Sequence, residues 1–340
     1  MSRYSRTTLA AVLLLGLSPQ IVRYDLAILS ESLGISFMVL AVAASINVQQ
    51  KRTPSSITLW IVSISLCATT RPVHLWILLV ALIPPMWALI TSRGRRVTTP
   101  TAILLIVLLA GILQMRENSN TSALNMYTVL QDRVITNDAR FQWFSDNGMP
   151  ISDGMRQATG YDYSGQLPDE VTNIIALPLG QQPPSLMRIG GAPLAQWVKN
   201  HGWQTYSRYV VTHPQDSLSR LTSLTNATLS PPNDDFLPLD SGPMIPRVLY
   251  GSWELWGTIG LCTTIFVFLK SRKHFALLVG LTFSSAGVYA ISMLTSGIEH
   301  PRHAVTSAAA LRLTTLVALV FAMPKPMQKA KLGAPDDELA

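Results

Sequence analysis

Charge is scarce in this sequence. Only 13% of its 340 residues are Asp, Glu, Lys or Arg, while 48% are hydrophobic. Soluble domains carry about a quarter of their residues as charges, so the balance points to an all-α polytopic membrane protein rather than a soluble enzyme. Cysteine is nearly absent. Cys67 and Cys262 each fall inside an apolar run, which excludes a disulfide framework and reads as two small buried hydrophobes. There is no phosphate-binding Gly-x-x-x-x-Gly-Lys-Ser/Thr loop, no Gly-x-Gly-x-x-Gly after a strand, no His-Glu-x-x-His and no cysteine pair at zinc spacing. Histidine is sparse, and only His300 and His303 stand close together. A soluble nucleotide-dependent mechanism therefore has no support, no metal ligand is assigned and no cofactor is firmly implied. Nothing repeats internally.

The net charge of +7 invites a nucleic-acid reading, but its distribution opposes one. Between Arg116 and Arg247 there are 9 basic and 12 acidic residues, a net of −3. The positive excess lies elsewhere, in clusters beside hydrophobic runs: Lys51-Arg52, Arg93 to Arg96, Lys270 to Lys273 and Lys325 to Lys331. Clusters so placed are topology signals.

A membrane-spanning helix needs about 20 apolar residues. Eight segments qualify or nearly do: 7–18, 26–48, 56–70, 74–92, 100–115, 250–269, 275–296 and 303–323. The first follows a basic start and resembles a signal peptide. With no small-x-small cleavage site before Pro19, it is expected to be retained. A cytoplasmic N-terminus puts all four basic clusters on the inside, and both termini there. The expected organisation is a first bundle over 1–115 with about five helices and a large extracytoplasmic α-rich loop domain over 116–249. A second bundle of about three helices follows over 250–323, then a disordered cytoplasmic tail over 324–340. The expected location is a plasma (inner) membrane.

Within the loop, Leu124 to Arg133 has helical spacing and Ala139 to Phe144 is aromatic. Asn147-Gly148 signals a turn, Pro178 to Pro193 reads as irregular, and Pro231 to Pro246 reads as extended. Leu194 to Val211, with Trp197, Trp203, Tyr206 and Tyr209, reads as one or two amphipathic helices at the membrane interface.

Polar residues gather at the outer face. Asp25 and Glu31 sit at the mouth of the run Leu26 to Val48, where an ionisable group is costly and is by default a functional hypothesis. Arg71 and His74 precede another run, and Glu299-His300-Pro301-Arg302-His303 precedes the last. A carboxylate can act as general base toward a hydroxyl, and arginine and histidine can bind a phosphate leaving group. That assigns Asp25 and Glu31 as catalytic candidates, and Arg71, Glu299, His300, Arg302 and His303 as lipid-phosphate or substrate ligands. The plainer alternatives stand beside these. Glu31 can pair with Arg23 or Arg71, Arg71-Pro72 can simply end a helix, and Arg302 and His303 can touch lipid headgroups. Arg312, inside the last run, is expected to face the bundle.

Pro19 followed by Asp25 and Ile28-Leu29-Ser30-Glu31-Ser32-Leu33, opening a membrane helix, resembles the middle helices of polytopic GT-C glycosyltransferases. That superfamily includes the protein mannosyltransferases and the bacterial aminoarabinose and arabinose transferases. Arg71-Pro72 and Glu299-x-x-Arg302-His303 share the likeness, which covers roughly 7–92 and 250–323. In the loop, Asn125-Met126 and Gly148-Met149-Pro150 resemble loops of actinobacterial relatives. The resemblance implies a polyprenyl-phosphate-linked sugar as donor, an inverting transfer and an extracytoplasmic acceptor: an envelope glycan, a lipid or a protein. The family places its catalytic Asp in a first outer loop, whereas this chain starts near what resembles the third helix. The resemblance therefore implies that the chain is N-terminally incomplete, that a second membrane subunit supplies that half, or that catalysis has been lost. The alternative is a non-catalytic scaffold or accessory subunit of an envelope-polymer assembly or transport system. A transporter, which predicts broken helices at the midplane, ranks last. Membrane lipids are expected partners in every case.

Overall fold

A computed structural model describes residues 30–50, 53–70, 119–159, 162–177, 181–229, 252–270, 272–297 and 300–323. Among them every regular element is helical, apart from one isolated antiparallel bridge between Tyr163 and Pro184. In chain order the α-helices are α1 (Ser30–Gln50), α2 (Pro54–Thr70), α3 (Ser119–Val129), α4 (Asp138–Asp146), α5 (Asp169–Thr172) and α6 (Ser185–Trp197). They continue with α7 (Trp203–Thr212), α8 (Pro214–Leu229), α9 (Trp253–Lys270), α10 (Arg272–Thr295) and α11 (His300–Ala322).

Five of the eight predicted spans fall on α1, α2, α9, α10 and α11. Those at 7–18, 74–92 and 100–115 lie outside the described residues, as do Pro231 to Pro246 and the tail. Two helices are long and apolar enough to cross a membrane, over Leu277–Thr295 in α10 and His303–Ala322 in α11. The eight-span expectation thus narrows to two among the described residues, for reasons of length and end charge. At about 1.5 Å per residue the 17 residues of α2 reach about 26 Å, short of a bilayer core of about 30 Å. In α9, Glu254 in the first turn and Lys270 in the last trim the apolar stretch.

The five helices share one core. The helix α1 packs on α2, the helices α9, α10 and α11 pack on one another, and α11 also touches α1. Val42, Trp60, Ile64, Leu278, Val288 and Ala309 lie at its centre. Small side chains set the spacing: a Cβ on Gly260 of α9 would fall 2.6 Å from Thr315 Oγ1 of α11, the close backbone approach that small residues permit between apolar helices. The far side of α9 is apolar and exposed, with Leu261, Ile265, Phe266 and Leu269 uncovered.

Helices α3 to α7 build a second core from larger side chains, with Met126, Tyr127, Phe144, Met187 and Leu194 buried. The predicted helix at Leu124 to Arg133 is α3 with a π-helical turn, Leu130–Val134, at its end. Asn137 caps α4 by accepting from Arg140 N at 3.0 Å. The turn expected at Asn147-Gly148 closes α4, with Asn147 Nδ2 donating to Trp143 O at 2.8 Å. One expectation is corrected. The Pro-rich stretch is not irregular to its end. The helix α6 starts at Ser185 and carries Pro193 through a break at Gly191, whose φ of 58° is one that glycine adopts without strain. In the aromatic helices Trp197, Tyr206 and Tyr209 are buried in this core. The amphipathic stripe found its apolar partner in neighbouring helices, so the Trp and Tyr rings pack there and their polar tips are used internally.

Candidate functional site

Five charged side chains, Asp132, Arg133, Arg140, Asp216 and Arg220, pair in the seam between this α3–α7 domain and one end of the bundle. The helix α8 makes it. Its N-terminal half lies beside α7, and it also packs against α10 and α11. Pro at its first position, Asp216 in its first turn and apolar Leu221 and Leu224 account for the helix. The polar groups then engage partners down its length. Asp216 meets Arg133 and Arg140, Arg220 meets Asp132 and His300, and Asn226 Oδ1 accepts from Trp253 Nε1 at 2.8 Å. At its end the Leu229 carbonyl accepts from Arg312 Nη2 at 2.9 Å.

Arg133 stands at the centre of the upper part. It is buried and donates to Tyr206 Oη and, at 3.0 Å, to Asp216 Oδ2. Arg140 Nη2 holds the other oxygen, Oδ1, at 2.5 Å, and Arg140 Nη1 donates to the Arg133 carbonyl at 2.9 Å. Burial pushes the Asp216 carboxyl up, but the hydrogen bonds and charges of Arg140 and Arg133 outweigh it and hold the group below the ordinary carboxylate range. Burial raises the Tyr206 phenol, with Arg133 opposing. Burial and then the Asp216 charge raise Tyr209. Both phenols therefore stay protonated at neutral pH. Tyr206 donates its proton to the Leu294 carbonyl at the end of α10, which ties the α3–α7 domain to the bundle.

The lower part closes over the turn between α10 and α11. Arg220 Nη2 lies 2.5 Å from Asp132 Oδ2 and 2.9 Å from His300 Nε2. Burial, then the charge of Arg220, lowers the His300 pKa below its usual value, with Asp132 and the Ser296 backbone opposing. Gly297 sits so close to α3 that a Cβ there would fall 2.1 Å from the Thr128 carbonyl oxygen. Tyr289 Oη of α10 donates to the Leu221 carbonyl at 2.8 Å.

Of the sequence-predicted site residues, Asp25, Arg71 and Glu299 lie outside the described residues. Glu31 is in the first turn of α1 and Arg302 in the first turn of α11, on helices that touch. His300 is in the seam, and half-buried His303 follows one turn later. Arg312 faces the bundle as expected. It is fully buried, donates to the Ala308 carbonyl at 2.9 Å and lies 5.9 Å from the Trp256 ring. At the opposite end of the bundle Lys270 Nζ donates to the Ala322 carbonyl at 3.2 Å, a cation on the last turn of α11.

Sequence reasoning missed Asp132, Arg133, Tyr206, Asp216 and Arg220. Two signals pointed to them. Asp132-Arg133 interrupts an apolar helical run, and Asp216 and Arg220, four residues apart, share a helix face. Among the described residues no group of three or more His, Cys, Asp or Glu side chains could hold a metal ion. In comparisons with other proteins no family model, no curated protein and no solved structure matches this chain.

Proposed function

We propose that this chain is a multi-pass membrane protein of glycosyltransferase type. In this reading it uses a polyprenyl-phosphate-linked sugar to modify an extracytoplasmic acceptor: an envelope glycan, a lipid or a protein. The observation that carries the reading is the seam. The outer domain is bonded to the turn opening α11, so the polar motif ending in Arg302 and His303 is held at one end of an apolar bundle, beneath a folded domain. A lipid phosphate anchored in the bilayer would present its charge at that depth. There Arg302 serves as its cation, with Arg71 supporting, Glu299 and His303 completing the site and His300 positioning the turn that carries them. Asp25 or Glu31 serves as the acid/base or acceptor-orienting carboxylate. The position of Lys270, at the bundle end remote from the outer domain, supports a cytoplasmic face there and an outer face at the seam.

Two measurements test it. Cysteines placed singly at Ser207 and Ser271 are to be probed with a membrane-impermeant thiol reagent, in a background lacking both native cysteines. Labelling at 207 and protection at 271 in intact cells is the expected result, and the reverse refutes the topology. Arg302→Ala, in a strain with a scorable envelope glycan, is expected to abolish the modification at normal protein level. Wild-type glycan removes the phosphate-binding role.

A second reading has its own support. Arg133, Arg140 and Arg220 are already paired with Asp216 and Asp132, and Arg140 also with the Arg133 carbonyl. Charges paired with one another in this way suit a non-catalytic scaffold or accessory subunit of an envelope-polymer assembly. Normal glycan in Arg302→Ala, together with loss of an assembly partner when the chain is deleted, selects this reading.

A further inference from the structure

One nitrogen of Arg220 serves two elements at once. Nη2 carries two hydrogens, and its two neighbours are Asp132 Oδ2 at 2.5 Å and His300 Nε2 at 2.9 Å. A guanidinium has donors only. His300 Nε2 must therefore be the acceptor, which leaves Nδ1 to carry the ring proton and to make the ring's other hydrogen bond, to the Ser296 backbone. Asp132 comes from the turn after α3, Arg220 from α8, Ser296 from the end of α10 and His300 from the first turn of α11. Four elements thus converge on one imidazole. The turn is held from two further sides, by the Tyr206 bond to the Leu294 carbonyl and by the fit of Gly297 against the Thr128 carbonyl.

We infer that Arg220 is a positioning residue: it holds His300 as the neutral, Nδ1-protonated imidazole, and through that ring sets the turn that opens α11. The inference deepens the lipid-phosphate reading and in its functional arm rests on it. With both ring nitrogens engaged inside the protein, His300 orients the turn that carries Arg302 and contributes no charge of its own to a phosphate. The cationic work falls to Arg302.

The test uses the full chain in detergent with ring-15N histidine, His300 being assigned by the signal lost in His300→Gln. Expected for the wild type is a neutral ring at pH 7, protonated at Nδ1, that gains its second proton below the ordinary histidine pH. In Arg220→Met, Asp132 is left facing the ring. The Nδ1 preference is expected to give way to a mixture of tautomers and the titration midpoint to rise. Arg220→Lys, which keeps a donor and a charge, is expected to retain the wild-type tautomer. A wild-type ring protonated at Nε2 overturns the inference even if no variant folds, and so does an Arg220→Met ring indistinguishable from wild type.

Binding of farnesyl phosphate is measured on the same samples. A wild-type chain that binds it, with affinity about tenfold weaker in Arg220→Met and restored in Arg220→Lys, supports the functional arm. Unchanged binding beside an altered ring overturns that arm. Absence of binding in the wild type, with the ring behaving as expected, leaves the positioning role standing and refutes the lipid-phosphate reading.

Discussion

The bundle and the region of α3 to α8 differ in how far their polar side chains reach. Bundle hydroxyls mostly turn back onto their own helix. Ser45 donates to Ala41 O, Ser63 to Leu59 O, Ser285 to Leu281 O and Thr314 to Ala310 O, each four residues back. Links between bundle helices are fewer, such as Trp60 Nε1 to Ser45 Oγ at 2.9 Å and Thr315 Oγ1 to Trp256 O at 3.1 Å. The region of α3 to α8 also joins side chains across long sequence distances. Arg133 meets Asp216, Arg140 meets the same carboxylate, and Gln131 bridges Asp162 O and Leu186 N. The difference follows from composition. The bundle helices carry hydroxyls and few charges, and a helical Ser or Thr hydroxyl can reach the carbonyl one turn back. A domain with a wet surface can hold half-exposed charges and spend them on pinning one helix to another.

That contrast predicts a graded series. Gly297→Val strikes where the two regions touch. With backbone rather than a flexible side chain in the way, a loss of about 3 kcal/mol or more is expected, read as poor yield or a collapsed melting temperature in detergent. Survival with a normal melt would show that the seam is looser than described.

Asp216→Ala comes next. It leaves Arg133 buried and Arg140 partly so without a counter-charge, at an expected cost of about 2–3 kcal/mol, since the pair is partly screened. Asp216→Asn should lose less.

The pH dependence has the same origin. Asp216 titrates below its unfolded value and His300 below its own, so the unfolded chain binds more protons in both windows and stability rises with pH there. Melting temperature should be flat between the ordinary histidine range and the ordinary tyrosine range, above which the raised Tyr206 and Tyr209 make it fall. It should fall as the pH drops through His300, then fall again below the ordinary carboxylate range. His300→Gln should remove the first step and leave the second.

Inside the bundle, Ser45→Ala orphans the buried Trp60 indole N–H, and about 1 kcal/mol is expected. Ser285→Ala removes only a bond that its own helix supplied, and a change within about 0.5 kcal/mol is expected. If Ser285→Ala cost as much as Asp216→Ala, the contrast between the two regions would fail.

Helical character and the buried fate of Arg312 were legible because each rests on a local quantity: residue periodicity, or one ion in a run of hydrocarbon. Among the described residues two helices are long and apolar enough to cross a membrane, since α2 is short and the ends of α9 are charged. The Trp197 to Tyr209 stretch displayed an apolar stripe, but a stripe does not say whether lipid or protein will cover it. The helix α8 went unread because Ser, Thr and Asn fill its exposed face, although Pro214 and Asp216 marked its start.

The sequence by itself determined that this chain is helical, that it has two unlike halves, and where its charges cluster. Local composition and periodicity are sufficient for those properties. The tertiary structure alone decided that Arg133 would take Asp216, 83 residues away, and that Arg220 would lie between Asp132 and His300. It also decided that α3 would press a carbonyl against Gly297. These contacts join segments far apart in the chain. They depend on how helices dock, which no window of sequence contains, and they place His300 in the seam rather than free at the head of its helix.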